Sequence, residues 1–516
     1  MTHTREGLAV SMAMSIGRQL LRRRVVALTS LAGWLLIVTF AGACISRTAA
    51  PPASPSAAAE LLAQSPAGRR LLALVRAVNA GDSSSILGFA RAHYDSVALA
   101  GSGGNARMLA RWGEVRSNYG PLEIDTTISV APAIITVWLR GTISRSWLFV
   151  RLVTDSIGDR RVRSIGLGRG SVPAFADGRN INLTRSTLPA YLDEYMRRLS
   201  DAGLFSGVVA LAHGDSILFQ RTYGFADRGR REPMRMDTPF DIASIGKTFT
   251  AVGVAQLAER GALRLADTVG RFLPQLPRAI AGRVTIAHLL EHSSGLGELG
   301  PTLDSAMRRS QSVGEMIALV GRGDLAFPPG TDVSYSNRGY ILLGGVIERA
   351  SGMQYDEYLR RALFQPARMT RTDIHPANAL PADRAHRYTH FESLRATFAP
   401  TLVEFAPEND LAAGPHGGAY STAPDLLRYA RALTEGTLVG AQWLDSLVRD
   451  PASTGRSRGF EVGAIGGRRY FGHLGGAPGM NSMLRVFPEL GYTLVVLSNF
   501  DSGANVAGTH ISEMIR

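Results

Sequence analysis

Phe240-Asp241-Ile242-Ala243-Ser244-Ile245-Gly246-Lys247-Thr248-Phe249-Thr250-Ala251 is the stretch on which the reading of this chain turns. Apolar positions Phe249, Val252, Val254, Ala255 and Leu257 predict a largely buried helix that begins at about Ser244. A serine and a lysine three apart on a helix share a face, one turn from each other. A serine at a helix start also has backbone N–H groups nearby that no carbonyl of the helix satisfies, and these can steady an oxyanion. Four residues therefore offer a nucleophile, a base and half of an oxyanion hole. The pair alone would equally describe an exposed helix serine beside a solvated lysine. One count argues against that: of the 56 lysines and arginines, Lys247 is the single lysine. Arginine stays protonated at any accessible pH, whereas a buried lysine can lose its proton and act as a base.

Upstream, a helix over Tyr191 to Leu199 leads into the strand Gly207-Val208-Val209-Ala210-Leu211-Ala212. His213-Gly214-Asp215 turns it, and Ser216 to Gln220 returns. A helix followed by an antiparallel hairpin predicts an α+β sheet and not a parallel one. Downstream stands Tyr335-Ser336-Asn337, before an apolar helix over Tyr340 to Ala350. A tyrosine near the serine and lysine can relay a proton from nucleophile to leaving group. The Asn337 amide can bind a substrate carbonyl or share the lysine's hydrogen bonds. Taken alone, such a tripeptide is a turn before a helix. The third element is His473-Leu474-Gly475-Gly476. A glycine-bearing strand edge lets a substrate backbone approach closely, and the Gly476 N–H could complete an oxyanion hole opposite that of Ser244. His473 reads as a proton carrier, a carboxylate partner or a structural histidine.

In this order the three elements resemble the serine β-lactamase-like superfamily, in the branch of class C β-lactamases, D-alanyl-D-alanine carboxypeptidases and esterases; Ser-x-x-Lys is a known motif of that group. The likeness runs from about Leu188 to the C-terminus. It takes in His288 to Leu296, Gly417 to Leu426 and the closing run Thr493 to Asn499, read as scaffold, His292 included. The resemblance implies an antiparallel sheet packed between helices, an all-helical subdomain beside it and a site at their junction. It also implies that Ser244 is acylated, that Lys247 and Tyr335 share proton transfer, and that Asn337, His473, Gly475 and Gly476 hold substrate. At His473 the chain departs from class C β-lactamases, which carry lysine there. His-x-Gly occurs instead in some DD-peptidases, D-aminopeptidases and esterases. Expected substrates are D-amino-acid peptides, small esters or amides, and β-lactams. The rival reading is a non-catalytic sensor or scaffold of the cell envelope on the same fold.

Residues 67–170 read as a separate small α+β domain. Leu71, Leu72, Val75 and Val78 recur at helical spacing, and a second short helix follows over Ser83 to His93. Strands are expected over Leu122–Val130, Ile134–Leu139, Trp147–Val153 and Arg161–Leu167, with a Gly158-Asp159 turn before the last. Two helices and a meander resemble the nuclear-transport-factor-2-like cone; such a domain binds a ligand or packs on its neighbour, and fold alone does not decide. Residues 171–187 read as a connector to the domain spanning 188–516.

Residues 1–44 read as an export signal. Arg22, Arg23 and Arg24 precede an apolar run from Val25 to Ala43, then Cys44. This is similar to a bacterial lipoprotein signal, which implies lipidation at Cys44; simple cleavage after Ala43, or retention as a membrane anchor, fits the same residues. Proline-rich residues 45–66 read as a linker. The expected location is the periplasm or cell envelope, with membrane contact through this N-terminus.

Composition removes other classes. With 45% hydrophobic and 19% charged residues the chain is globular, and a net charge of +13 spread over scattered arginines carries no nucleic-acid-reading motif. One cysteine allows no internal disulfide and no multi-thiolate metal site. The chain has no His-Glu-x-x-His, so no metal or cofactor is expected, and its one Gly-x-Ser-x-Gly, Gly455 to Gly459, follows Asp450-Pro451-Ala452-Ser453-Thr454 and not the apolar strand that an α/β-hydrolase elbow needs.

Overall fold

The computed structural model describes residues 55–156, 158, 161–169, 183–297, 306–320, 324–376, 379–390, 401–406, 413–450 and 456–515. Residues 1–44, read as an export signal ending at Cys44, and most of the connector lie outside these residues.

The first module opens with helices α1 (Pro55–Ala63), α2 (Pro66–Ala80), α3 (Ser83–His93), α4 (Ser96–Gly101) and α5 (Gly104–Tyr119). Four strands follow, β1 (Leu122–Val130), β2 (Ile134–Gly141), β3 (Trp147–Thr154) and β4 (Val162–Arg169), joined as an antiparallel meander in that order. Helix α1 corrects the linker reading over Pro55–Ala63: Leu62 is fully buried in the core of this module. Helices α4 and α5 were not expected. Asp95 caps α4 through the Ala98 N–H, and α5 buries Trp112 among Leu71, Leu74, Val78, Ile135, Val137 and Leu152. Glycines at 101, 103 and 104 interrupt the pattern between these helices and hide it from a periodicity reading.

The second module is an antiparallel sheet with both faces covered. Helix α6 (Leu188–Asp201) leads into β5 (Gly207–His213) and β6 (Ser216–Tyr223); the remaining strands come from the far end of the chain: β7 (Glu461–Ile465), β8 (Arg468–Ala477), β9 (Met480–Phe487) and β10 (Tyr492–Ser498). Their spatial order is β7-β8-β9-β10-β5-β6, so the last strand pairs with the first. Strand β5 lacks polar alternation because it has no wet face. Val209 and Leu211 pack with Leu192 and Met196 of α6 and with Ala507 and Ile511 of α10 (Gly503–Met514). Val208 and Ala210 pack on the other side with Phe249 and Val252.

Helix α7 (Gly246–Glu259) supplies those last two residues. It is buried without interruption from Gly246 to Leu257, as a helix in the middle of a domain must be. Around it stand α8 (Asn337–Ser351) and α9 (Ala423–Thr434), both in the same core. The two modules meet through the turn between β2 and β3: the Tyr195 hydroxyl on α6 donates to the Ser144 carbonyl at 2.7 Å, and Ser146 Oγ donates to the Val506 carbonyl on α10 at 3.3 Å.

Ser144 and Tyr195 are both buried, so removing the hydroxyl strands a carbonyl away from water. Tyr195→Phe should cost about 1–2 kcal/mol, read as a lower denaturant midpoint with secondary structure retained. An unchanged midpoint would show that this junction adds no stability.

Candidate active site

Ser244 lies in a single 3₁₀ turn, Ala243–Ile245, that runs directly into α7. The turn is entered through an uncommon backbone state, Ala243 at φ +44°. The Asp241 carboxylate holds it by accepting the Ala243 N–H at 2.8 Å. The sheet holds the turn from below: Ser482 Oγ donates to the Ile242 carbonyl at 2.9 Å. Gly475 lies so close that a Cβ there would meet that carbonyl oxygen at 2.2 Å. The glycine is thus the reason β8 can lie against the turn that carries Ser244.

Lys247 follows one helical turn later and is fully buried. Its Nζ lies 3.2 Å from Ser244 Oγ and 2.7 Å from Asn337 Oδ1, and it donates to the His416 carbonyl. The Tyr335 hydroxyl donates to Ser244 Oγ at 2.9 Å. Tyr335 and Asn337 arrive together because Ser336 between them is the N-cap of α8, its side chain accepting the Gly339 N–H at 3.2 Å. The tripeptide is therefore both a helix start and a site, two readings the sequence left open.

His473, Gly475 and Gly476 lie on β8. Strand β7 pairs with β8 only between Arg468 and Gly472. Beyond that, from His473 to Ala477, no further strand covers the outer edge among the described residues. His473 and Gly475 are buried and Gly476 is exposed. Burial pushes the His473 imidazole down to about 4, with Lys247 acting in the same direction and Glu461 against it. Its Nδ1 donates to the Leu474 carbonyl at 2.5 Å, so this histidine is neutral and fixed in one tautomer.

Three residues enter the site that sequence reasoning did not place there. His292, read as scaffold, stacks on the Tyr335 ring at 4.4 Å, and its Nδ1 accepts the Ser336 N–H at 3.1 Å. Its left-handed backbone, φ +57°, aims it there. Burial, then Arg456, Lys247 and His473, keep its pKa well below the ordinary value. Arg456 holds its guanidinium 4.8 Å from the Tyr335 ring centre, and the Lys247 amine lies at the same distance from that ring. His416 contributes its carbonyl. A backbone acceptor and a backbone dihedral leave no mark in residue types; the position of His292 beside a small polar turn was visible, but its direction was not. Among the described residues no group of three His, Cys, Asp or Glu side chains stands close enough to hold a metal ion.

The buried histidines predict an acid limb of stability. Burial lowers His473 to about 4, and His416 and His510 to about 3, from an ordinary 6.5. The unfolded chain takes up protons on these groups as pH falls through about 6.5, and the folded chain does not until far lower. Stability that is complete above that value is lost progressively on acidification. The denaturant midpoint should fall between pH 7 and pH 5, where carboxylates stay ionised; a flat or rising midpoint there would show these rings to be solvated.

With this geometry in view, comparison with known proteins gives a consistent result. The family profile described as Beta-lactamase matches residues 191–512. Penicillin-binding protein 4* of Bacillus subtilis (strain 168) is 29% identical over 327 residues, covering 60% of this chain and 71% of its own. Esterase EstB of Burkholderia gladioli is 32% identical over 315 residues, covering 55% and 79%. Among solved structures, the penicillin-binding protein from Bacillus halodurans superposes with a TM-score of 0.54 at 26% identity, over 64% of this chain and 100% of that one. A profile that spans the sheet, the Ser-x-x-Lys helix, the Tyr-Ser-Asn cap and the glycine-edged strand covers more than half of the molecule, and the chain belongs to the β-lactamase family of serine hydrolases.

Proposed function

We propose that the protein hydrolyses its substrates through an acyl-enzyme on Ser244, with Lys247 as base and Tyr335 as proton relay. The observation that carries this reading is the convergence of the Lys247 amine and the Tyr335 hydroxyl on one serine oxygen, at 3.2 and 2.9 Å, with the amine shut away from water. An amine that gives hydrogens to Asn337 Oδ1 and the His416 carbonyl keeps its lone pair for the Ser244 proton. Burial disfavours the ammonium form and so favours the base. In acylation Oγ bonds the carbonyl carbon, its proton passes to Lys247, and the leaving amine or alkoxide departs with a proton relayed by Tyr335. Water repeats the sequence to free the acid. The N–H groups of Ser244 and Gly476 would hold the oxyanion, and the open edge of β8 from His473 to Ala477 would take the substrate backbone as an added strand.

D-amino-acid peptides or amides, small esters and β-lactams are the substrate classes this site fits. The names of two relatives, a penicillin-binding protein and an esterase, support the same range. We also propose that the chain is exported and tethered at the envelope through residues 1–44, with Cys44 as the lipidated residue, on the strength of the Arg22-to-Cys44 pattern.

A fluorophosphonate or penicillin probe should label the wild type and spare Ser244→Ala; equal labelling of both would remove the assignment. Lys247→Arg keeps the charge and loses the basicity, so acylation should fall by about 10²–10⁴-fold, and ordinary turnover in that variant would overturn Lys247 as base. Stoichiometric acylation without release, across nitrocefin, D-alanyl peptides and short esters, would replace the hydrolase reading with that of a sensor.

A further inference from the structure

We infer that Asp241 and Arg387 are positioning residues that set the spacing between the two halves of the oxyanion hole. The inference rests on Ser244 as the acylated residue and on Gly476 as the second N–H donor.

Asp241 stands three residues before the nucleophile, and Arg387 lies on a distant segment of the chain. Both are nearly inaccessible, with side chains 8% and 5% exposed. Asp241 has two tasks. One carboxylate oxygen accepts the Ala243 N–H at 2.8 Å and so holds the φ +44° turn that presents Ser244. The other faces the Arg387 guanidinium at 3.4 Å. Arg387 in turn donates twice to the Pro478 carbonyl, from Nε at 3.0 Å and from Nη2 at 2.7 Å. Pro478 stands two residues beyond Gly476, at the end of β8. The route Ala243–Asp241–Arg387–Pro478 therefore closes a ring around the site: one end is fixed to the serine turn, the other to the strand that carries Gly476.

The ring is rigid at both ends. The guanidinium lies on the Phe405 ring at 4.7 Å, and Gly479, at φ +75°, lets the turn after Pro478 approach Arg387 and Tyr388, where a Cβ would come within 2.8 Å of the Tyr388 nitrogen and 3.0 Å of the Arg387 carbonyl carbon. The Gly479 N–H is held by the Asp501 carboxylate at 2.6 Å. A buried carboxylate–guanidinium pair is costly unless its hydrogen bonds are filled. Here the filled bonds lead to the two backbone segments whose N–H groups must sit about 3 Å from one developing oxyanion. A pair needed for stability alone could be replaced by apolar packing; one that sets a distance cannot.

The test uses the full chain and a fluorophosphonate, with labelling resolved into the maximal rate and the half-saturating concentration. In Asp241→Asn an acceptor for Ala243 remains and the charge is lost; in Arg387→Gln the hold on Pro478 is weakened. Each should lower the maximal rate by about tenfold to a hundredfold while the half-saturating concentration stays within about twofold. The double variant should be no slower than the slower single one, because both break one ring. Arg387→Lys, which keeps the charge and folds most readily, should recover part of the rate. Wild-type maximal rates in Asp241→Asn and Arg387→Lys, or losses that multiply in the double variant, would overturn the inference. Labelling that survives Ser244→Ala would instead remove the hydrolase reading beneath it, so the two failures are distinct.

Discussion

A side-chain amine with no access to water is the constraint around which this molecule is arranged. Lys247 is fully buried in the first turn of α7, and a buried amine must be either neutral or surrounded by acceptors. Its neighbours are Ser244 Oγ, Asn337 Oδ1 and the His416 carbonyl, supplied by three separate segments. None of these can drift without stranding the amine, so the need to satisfy one lysine also assembles the site. Under the proposed mechanism this position calls for lysine in a chain that otherwise uses arginine, because a guanidinium could not give up a proton.

Neutrality of the other titratable groups protects that arrangement. His292, His416 and His473 all lie near Lys247 and all are held uncharged, chiefly by burial. An imidazolium at any of these positions would add a cation beside the amine. His292 does more, since its ring supports Tyr335 while its Nδ1 holds the Ser336 N–H. One residue thus steadies the tripeptide that delivers both Tyr335 and Asn337. Sheet and helix meet at the serine turn under equally tight conditions, where Gly475 removes the side chain that would keep β8 away.

Residue types and spacing revealed more of the site than of its surroundings. Ser244, Lys247, Tyr335 and Asn337 were readable because their chemistry is carried by side chains in short motifs, and the structure brings these four within bonding distance. The antiparallel sheet was readable from β5 and β6, because a hairpin is local. That β10 pairs with β5 was not, since such pairing depends on contacts nearly three hundred residues apart, as between Val209 and Val496. The linker reading failed at Pro55–Ala63 because prolines and alanines hid Leu62, whose burial becomes evident only against the first module's core. Asp241 and Arg387 were passed over for a related reason: each looks like ordinary surface charge until the fold places them together.

The chain's single lysine makes the central claim directly measurable. With lysine labelled at its side-chain nitrogen, the whole protein yields one such signal, that of Lys247. The account predicts that this nitrogen reports a neutral amine at pH 7 and that the signal changes when Ser244 is acylated. A nitrogen that remains an ammonium well above pH 7, unaffected by acylation of the serine, would contradict it.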